Sequence, residues 1–274
     1  MPFLPSLSIS HTLLLTSFLL PSSVLLVKTY FRNHPLPASL TSKIQISESI
    51  FSPSSSFPFH SIDIVNPRHH ITITDTRTIH LSRTEVSNIS DEEILARFTK
   101  GFFSGWIFTP ERHLLAGLSM FGMKLVPVGF SAIKSHNTTI SSLSQLSGTT
   151  LPTKHSMLFG GNFMVLDINL KPRASPVDYL ASAAPNVVSY IEIGFGDDRK
   201  SFAGFHRFEV THNTKMAADK GGDAGVVTSY STSCCNLSRN QAPFPQFVFT
   251  FHKLYALGLF RDGITEVLRA PTTG

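Results

Sequence analysis

Cysteine is scarce in this chain of 274 residues, where it occurs only as the adjacent pair Cys234 and Cys235. Neighbouring cysteines rarely meet disulfide geometry, so the sequence holds no disulfide framework and gives no support for an oxidising compartment. No CxxC or Cys/His spacing typical of a zinc site is present. We therefore expect neither a structural disulfide nor a metal site.

Charged residues are also few, at 15% of the sequence against roughly 25% in an average soluble domain. The net charge is +5, but the basic residues are dispersed and never form a run of five or more. A nucleic-acid-binding surface normally needs clustered cations, so the sequence argues against nucleic acid as a partner. A weak attraction to anionic lipid is compatible with the charge.

The complete motifs of common enzyme classes are missing as well. The sequence contains no GxSxG and no HExxH, and no catalytic triad can be assembled from it. Three glycine groups lack the Rossmann or P-loop spacing between a strand and a helix, and we interpret them as turns and bulges. No cofactor is therefore expected. The glycine groups are Gly160-Gly161, Gly194-x-Gly196 and Gly221-Gly222.

Charged side chains are absent altogether from Met1 to Val27, and residues 12–27 read TLLLTSFLLPSSVLLV. Together with the uncharged residues before it, this segment exceeds the roughly 20 residues that a membrane-spanning helix needs, and Pro21 is compatible with a kinked span. We predict a membrane anchor over residues 1–30. A cleaved signal peptide is the alternative, but its usual basic n-region and small-residue cleavage site are not found here.

The charges that flank this segment predict its orientation. Lys28, Arg32 and Lys43 follow the segment, and no basic residue precedes it. The positive-inside rule therefore places the globular domain in the cytosol, with secretion as the alternative. Three glycosylation sequons would matter only in the reversed topology. They lie at Asn88, Asn137 and Asn236.

Phenylalanine, by contrast, is abundant, with 23 copies against one tryptophan and five tyrosines. Low charge together with many phenylalanines predicts a large apolar interior. Two interpretations remain open at this point. Either phenylalanine side chains simply fill a core, or they line an apolar cavity.

Composition divides the rest of the chain into a linker and a domain. Residues 31–60 are rich in serine and proline, as in HPLPASL and FSPSSSFPFH, and are predicted to be a linker. The globular domain is placed at residues 61–274, with its first ordered residues near Ser61.

The domain shows strand signals first and then two helix starts. Residues 71–86 alternate in part and are rich in Thr and Ile, which predicts one or two strands. Ser90 and Glu93 have the spacing of a capping box, and Thr109-Pro110-Glu111 opens a second helix that runs to about Phe121. Further strands are expected at about 124–133, 157–170, 187–196, 202–212 and 225–234.

The longest helical pattern follows Pro243. Phe247, Phe251 and Leu254 mark its apolar face, and His252 lies on or near its polar flank. Because charged residues interrupt the pattern, it predicts an amphipathic helix that lies on a sheet rather than a second membrane span.

Strands, two helices, a run of antiparallel strands and a long final helix together predict an α+β fold. This order resembles the helix-grip fold of the START-like superfamily, which includes lipid-transfer domains and aromatic polyketide cyclases. The segments Phe195-Gly196-Asp197 and Phe202–Val210 are similar to a glycine turn and strand of an uncharacterised family within it. The resemblance covers residues 75–269 in element order. It implies a curved antiparallel sheet packed on the long C-terminal helix, with an apolar small molecule bound between them.

His206 is the first candidate catalytic residue. Strand alternation places it on the face opposite Arg207 and Glu209, and the charged face should meet solvent. His206 should therefore point inward, where burial would lower its pKa unless a carboxylate such as Asp167 lies near. It is interpreted either as a general acid/base in a cavity or as a hydrogen-bonded core histidine.

Asp167 is the second candidate, because it interrupts the apolar run Phe163–Leu170. It is interpreted either as a general base or as a carboxylate that is paired or lies on an outer face. Glu192 and Arg207 are expected to form a cross-strand ion pair rather than a catalytic pair. The candidate ligand-binding residues, for which ordinary packing is the alternative, are Tyr190, Phe202, Phe208, Tyr230, Phe247 and Phe251.

Three hypotheses for the function follow. The first is a membrane-anchored protein that binds an apolar small molecule in a Phe-lined cavity and acts as a cyclase or isomerase in a biosynthetic pathway. The second is a non-catalytic carrier of a lipid or metabolite with the same fold. The third is a structural or interaction protein with a filled core. A cavity would separate the first two from the third.

Overall fold

The chain divides into two compact units, residues 1–37 and 38–274. The predicted anchor lies outside the described residues except for Thr29. Within the described ranges, no helix combines the length and the apolar character that crossing a membrane requires. The computed structural model describes residue 29 and residues 34–51, 59–86, 89–134, 138–171, 188–212 and 225–269.

The described part of the second unit contains both helices and strands, numbered here in chain order. The α-helices are α1 (Ala38–Thr41), α2 (Ile62–Val65), α3 (Asp91–Ser104), α4 (Thr109–Met120) and α5 (Gln246–Val267). The strands are β1 (Gln45–Phe51), β2 (Thr72–Leu81), β3 (Thr139–Ile140), β4 (Met157–Leu158), β5 (Phe163–Asn169), β6 (Ser189–Gly196), β7 (Phe202–His212) and β8 (Val226–Asn236).

The strands form one large curved sheet in the order β1-β2-β8-β7-β6-β5-β4-β3. All neighbouring strands are antiparallel except β3 and β4, which run parallel. The predicted α+β class, with a C-terminal helix packed on a large sheet, is therefore confirmed. The sheet is mixed rather than purely antiparallel because of the short β3–β4 pair.

Helices α3 and α5 pack closely against each other through glycines. A Cβ atom on Gly101 of α3 would lie 2.6 Å from the Cβ of Glu266, and one on Gly263 of α5 would lie 2.8 Å from the ring of Phe98. A larger side chain at either position would force the helices apart. This contact brings Phe98 and Phe260 together, with ring centroids 5.7 Å apart.

The predicted helix starts are close to those in the structure. The hydroxyl of Ser90 accepts a hydrogen bond from the Glu93 backbone at 3.2 Å, as an N-cap should. The side chain of Glu93 binds Arg97 instead of completing the capping box. In α4, the N-cap is Phe108, while the Thr109 hydroxyl donates to the carbonyl of Gly105.

The predicted linker needs a correction. Residues 45–51, within the segment 31–60, form strand β1 and pair with β2, so the sheet begins well before Ser61. Serines in this segment alternate with Ile46 and Ile50, which suits an edge strand. The serine and proline content concealed this alternation.

The strand expected at residues 124–133 is also wrong. This stretch consists of turns with a single bridge between Gly129 and Asp197. Pro127 has no backbone N–H to donate, and the residue before a proline is restricted, so a continuous ladder is disfavoured here.

The apolar face assigned to the final helix is a further correction. Phe251 and Leu254 are 44% and 48% exposed, whereas Phe260 and Ile264 are completely buried. The first half of α5 is apolar on several sides, so its periodicity does not identify the packed face. The second half of α5, rather than the first, packs closely against α3.

Both faces of the sheet are covered. On the face opposite the helices, Phe205 is buried with Val65 and Phe130, and Phe59 packs against this group. The ion pair of Arg207 and Glu192 lies on the same face and is buried too. The prediction that this charged face meets solvent is therefore wrong, because residues 59–66 cover it.

Candidate ligand-binding cavity

A cavity of about 200 Å³ lies between the sheet and helices α4 and α5. Its wall is mostly apolar, and it is neither sealed nor a flat surface groove. The apolar wall includes Phe102, Phe108, Phe163, Phe195, Phe202 and Leu259, and the polar groups are Glu111, Asn162, His206, Tyr230, Thr232, Cys234, His252 and Tyr255.

His206 lies in this wall, as its position on β7 predicts. Its ring is surrounded by aromatic rings, with centroids 4.7 Å from Phe195 and 5.2 Å from Phe102. Burial among these rings, with a minor contribution from His252, lowers the pKa of His206 to about 3. The imidazole is therefore neutral at physiological pH.

A short chain of hydroxyl groups holds one side of the His206 ring. Thr232 donates from Oγ1 to the Tyr230 hydroxyl at 2.6 Å, and that hydroxyl lies 3.2 Å from Nδ1 of His206. Because the Tyr230 oxygen already accepts from Thr232, its own proton is free to go to Nδ1. This assignment leaves the ring proton on Nε2, which makes no hydrogen bond to a described residue.

A second polar pair in the cavity wall joins α4 to α5. The Tyr255 hydroxyl donates to Oε2 of Glu111 at 2.6 Å. Burial raises the pKa of Glu111, and the hydrogen bond from Tyr255 offsets part of that rise. Burial and the Glu111 charge together hold the pKa of Tyr255 well above its usual value.

His252 lines the same cavity, so its placement on the polar flank of α5 was wrong. Burial lowers its pKa, although its Nε2 lies 3.9 Å from Oδ1 of Asp75. Asp75 pairs with Arg77 at 2.8 Å, and both side chains are buried. Arg77 also donates to the carbonyl of Lys253, which fixes α5 to β2.

Asp167 lies on the other face of the sheet from His206. It accepts hydrogen bonds from Lys154 at 2.6 Å and from the Tyr190 hydroxyl at 2.8 Å. Burial raises the pKa of Asp167, but these hydrogen bonds and the Lys154 charge outweigh it and lower the pKa overall. Burial and the bond to Asp167 raise the pKa of Tyr190 to about 12. The structure therefore separates the two candidate catalytic residues, and Asp167 is a paired carboxylate.

The predicted cross-strand pair is confirmed and belongs to the same face. Nη1 of Arg207 donates to Glu192 at 2.7 Å, and the guanidinium stacks 3.7 Å above the ring of Tyr190. Glu192 also accepts from the backbone of Ser61 at 3.0 Å. This network explains Tyr190 as a packing residue rather than a ligand-binding one.

The other predicted ligand-binding residues differ in position. Phe202 and Tyr230 line the cavity. Phe208 is buried against Phe98 and Phe102 and does not reach it. Phe251 is half exposed and stacks on Tyr255, so its assignment to the site was wrong. The side chain of Phe247 lies outside what the structure describes.

A cluster of Ser189, Asp91 and His212 has the composition of a nucleophilic triad but not its order. Ser189 donates to Asp91 at 2.6 Å, and His212 contacts the other oxygen of Asp91 at 2.7 Å. In a triad the histidine lies between the serine and the carboxylate. Here the carboxylate is central, so Ser189 has no adjacent base in this cluster. Among the described residues, no group of three or more His, Cys, Asp or Glu side chains is arranged to hold a metal ion.

No family model, curated protein or solved structure matches this chain. The geometry of the cavity is what supports a function for it.

Glu111, His252 and Tyr255 are among the cavity residues that the sequence patterns did not predict. From the sequence, Glu111 was interpreted only as a residue that opens α4. His252, Tyr255 and Leu259 are spaced i, i+3 and i+7 on α5, which places them on one side of the helix. That spacing was available in the sequence, but nothing in it distinguished the cavity side from the solvent side.

Proposed function

We propose that this protein binds a small apolar molecule in the cavity, within a helix-grip fold. The observation that carries the proposal is a cavity of about 200 Å³ whose surface is mostly apolar and whose wall also holds polar groups such as His206, Tyr230 and Glu111. This combination is typical of small-molecule sites. A structural protein with a filled core does not account for it.

The cavity volume limits the size of the molecule. A dry apolar cavity of about 150 Å³ accommodates benzene. The present cavity therefore suits a compact molecule somewhat larger than benzene, such as a fused bicyclic compound. Leu125 and Val126 line the cavity and are also exposed, so a longer apolar chain can extend past them.

His206 sets where a polar atom of the ligand would lie. Its Nδ1 is occupied by the Tyr230 hydroxyl, so Nε2–H is the donor that remains. A carbonyl or hydroxyl oxygen on an otherwise apolar ligand is the matching acceptor. The low pKa of His206 makes it a poor base at neutral pH, so donation suits this residue better than proton abstraction.

Proton transfer is a second candidate function, and Glu111 favours it. A carboxylate with a raised pKa is a better general base than an imidazole with a pKa of about 3. In a cyclase or isomerase, Glu111 would remove a proton next to a carbonyl, and Nε2–H of His206 would stabilise the negative oxygen. In a carrier, the same groups only orient the ligand.

We also propose that residues 1–30 anchor the domain to a membrane with the domain in the cytosol. The lack of charge in this segment and the basic residues after it support the proposal. Secretion after cleavage of the segment is the alternative.

Titration calorimetry with 1-indanone, an apolar bicyclic ketone, tests binding. Wild type should bind it, and His206→Phe should weaken binding by about 2- to 10-fold because one hydrogen bond is lost. Leu259→Trp, which fills the cavity, should abolish binding with the circular dichroism spectrum unchanged. Tyr190→Phe removes a hydroxyl on the opposite face and should leave affinity unchanged. Failure of wild type to bind at millimolar 1-indanone would contradict the proposal.

Deuterium incorporation into 1-indanone in D₂O separates an enzyme from a carrier. If the protein transfers protons, wild type should accelerate exchange of the protons next to the carbonyl, as followed by NMR. Glu111→Gln should remove that acceleration while affinity stays within about 2-fold of wild type. Binding without any acceleration by wild type would identify a carrier.

A further inference from the structure

The end of α4 carries an exposed cluster of large apolar side chains. Residues 120–126 read MFGMKLV and are called the apolar turn below. Met120 is 85% exposed and Phe121 78% exposed, and Met123, Leu125 and Val126 are exposed as well. Surface apolar residues are common singly, but such a concentration in seven consecutive residues marks an interaction site.

The backbone of the apolar turn is held in a defined shape. The Met123 N–H donates to the carbonyl of Leu118, and the Gly122 N–H donates to that of Ser119, both at 3.0 Å. Gly122 has a φ of +67°, which completes a Schellman motif at the end of the helix. Phe121 and Met123 are therefore presented on a fixed turn, and little backbone entropy is lost when they are buried.

The apolar turn is continuous with the cavity. Leu125 and Val126 belong both to the turn and to the cavity wall. The Val126 N–H donates to the side chain of Asn162, another residue of the cavity wall, at 3.1 Å. The end of the turn thus shares one cavity with the ring of His206.

The charged residues nearest to the apolar turn in the sequence are basic. No Asp or Glu occurs between Glu111 and Asp167 in the sequence. Lys124 lies within the turn, Lys134 follows it, and both are exposed. This arrangement is complementary to an anionic surface.

We propose that the apolar turn inserts into the headgroup region of an anionic lipid membrane, with Phe121 and Met123 in the acyl boundary. Partial burial of apolar side chains next to cations is the usual basis of such interfacial binding. A stable protein partner needs roughly 800 Å² on each side, which is more than a seven-residue turn offers. The proposed membrane docking depends only on the exposed apolar side chains of the turn and on the lysines in and after it. Exchange of an apolar ligand between the bilayer and the cavity follows only if the proposed function is right.

Quenching of a single tryptophan by brominated lipid tests the proposal in the full chain. The variant that combines Phe121→Trp with Trp106→Phe has one tryptophan, at position 121. This variant is reconstituted into vesicles of brominated phosphatidylcholine and phosphatidylserine. Its emission should fall at least 2-fold relative to vesicles without bromine. Ile50→Trp in the same background is the matched control, because Ile50 is an exposed apolar residue on the edge strand β1. Equal quenching at the two positions would overturn the proposal.

Two further measurements test whether the membrane must be anionic and whether protein rather than lipid covers the turn. Lys124→Glu, or vesicles of brominated phosphatidylcholine alone, should reduce the quenching of the tryptophan at position 121 by half or more. Unchanged quenching in both cases would overturn the assignment to an anionic surface. A blue-shifted but unquenched emission would mean that protein covers the turn, which also overturns the proposal. Binding of 1-indanone by the same variant separates a failure of docking from a failure of the proposed function.

Discussion

The side chains of Glu111 and Tyr255 share a hydrogen bond of 2.6 Å that connects α4 to α5 at the wall of the cavity. The hydroxyl partner carries no positive charge, so the buried Glu111 carboxylate gains little compensation for its lost hydration. The raised pKa of Glu111 is the direct result. The Glu111 carboxyl group should therefore make the stability of the protein depend on pH.

Glu111→Gln should become more stabilising as the pH rises. A carboxyl whose pKa is raised on folding stabilises the protein fully below its unfolded pKa, and that contribution is lost as the pH rises through the folded pKa. Glutamine keeps an acceptor for Tyr255 without the charge. Melting temperatures of variant and wild type, measured from pH 4 to pH 8, should diverge in favour of the variant. A constant difference between Glu111→Gln and wild type over this pH range would contradict the assignment.

Two phenylalanines of α5 should differ strongly in their contribution to stability. Phe260 is completely buried, so Phe260→Ala should lower the free energy of unfolding by about 3–5 kcal/mol. Phe251 is 44% exposed, so Phe251→Ala should cost about 1 kcal/mol or less. Urea denaturation of both variants measures the difference. Equal losses would show that α5 packs with a different face.

His206 should remain neutral over the range in which histidines usually titrate. Its pKa of about 3 follows mainly from burial among aromatic rings. Nitrogen-15 NMR of the imidazole should show a proton on Nε2 and no titration between pH 8 and pH 5. His206→Gln identifies the signal by its disappearance. A midpoint above pH 5 would mean that water or a charge reaches the ring.

Removal of N-terminal residues should show where the fold begins. A chain that starts at Ala38 keeps β1 and should be monomeric and cooperative in its unfolding. A chain that starts at Ser61 lacks β1 and leaves the backbone groups of β2 unpaired, which favours aggregation. Size-exclusion chromatography and thermal melts of both chains provide the test. Identical behaviour of the two would mean that β1 contributes nothing to the sheet.

The sequence indicates elements well where local chemistry is decisive. Ser90 caps a helix because its hydroxyl accepts a hydrogen bond from the nearby Glu93 backbone. The strand β7 is recognisable because its odd and even residues differ in polarity. That alternation placed His206 on the face opposite Arg207, but it did not show that both faces of the sheet are covered. Such features depend on neighbours within a few residues and are accessible without a structure.

Other features depend on distant contacts and could not be predicted. Nothing near Phe251 indicates that α3 packs against a different part of α5. The burial of Arg207 depends on residues 59–66, which are far away in the sequence. Glu111 acquires its raised pKa only when the fold buries it, and the hydrogen bond from Tyr255 offsets part of that rise.

Coverage of both faces of the sheet has a mechanical consequence for the cavity. His206 stands on a strand whose reverse side is fixed by the Arg207–Glu192 pair and by Phe205. Displacement of this strand would break a buried ion pair and open a close-packed layer. The sheet is thus the stiff wall, whereas the exposed side chains of Leu125 and Val126 in the cavity wall are less confined. Under the proposed binding function, differences in ligand shape would be absorbed on the helical side, where Leu125 and Val126 have few neighbours to displace.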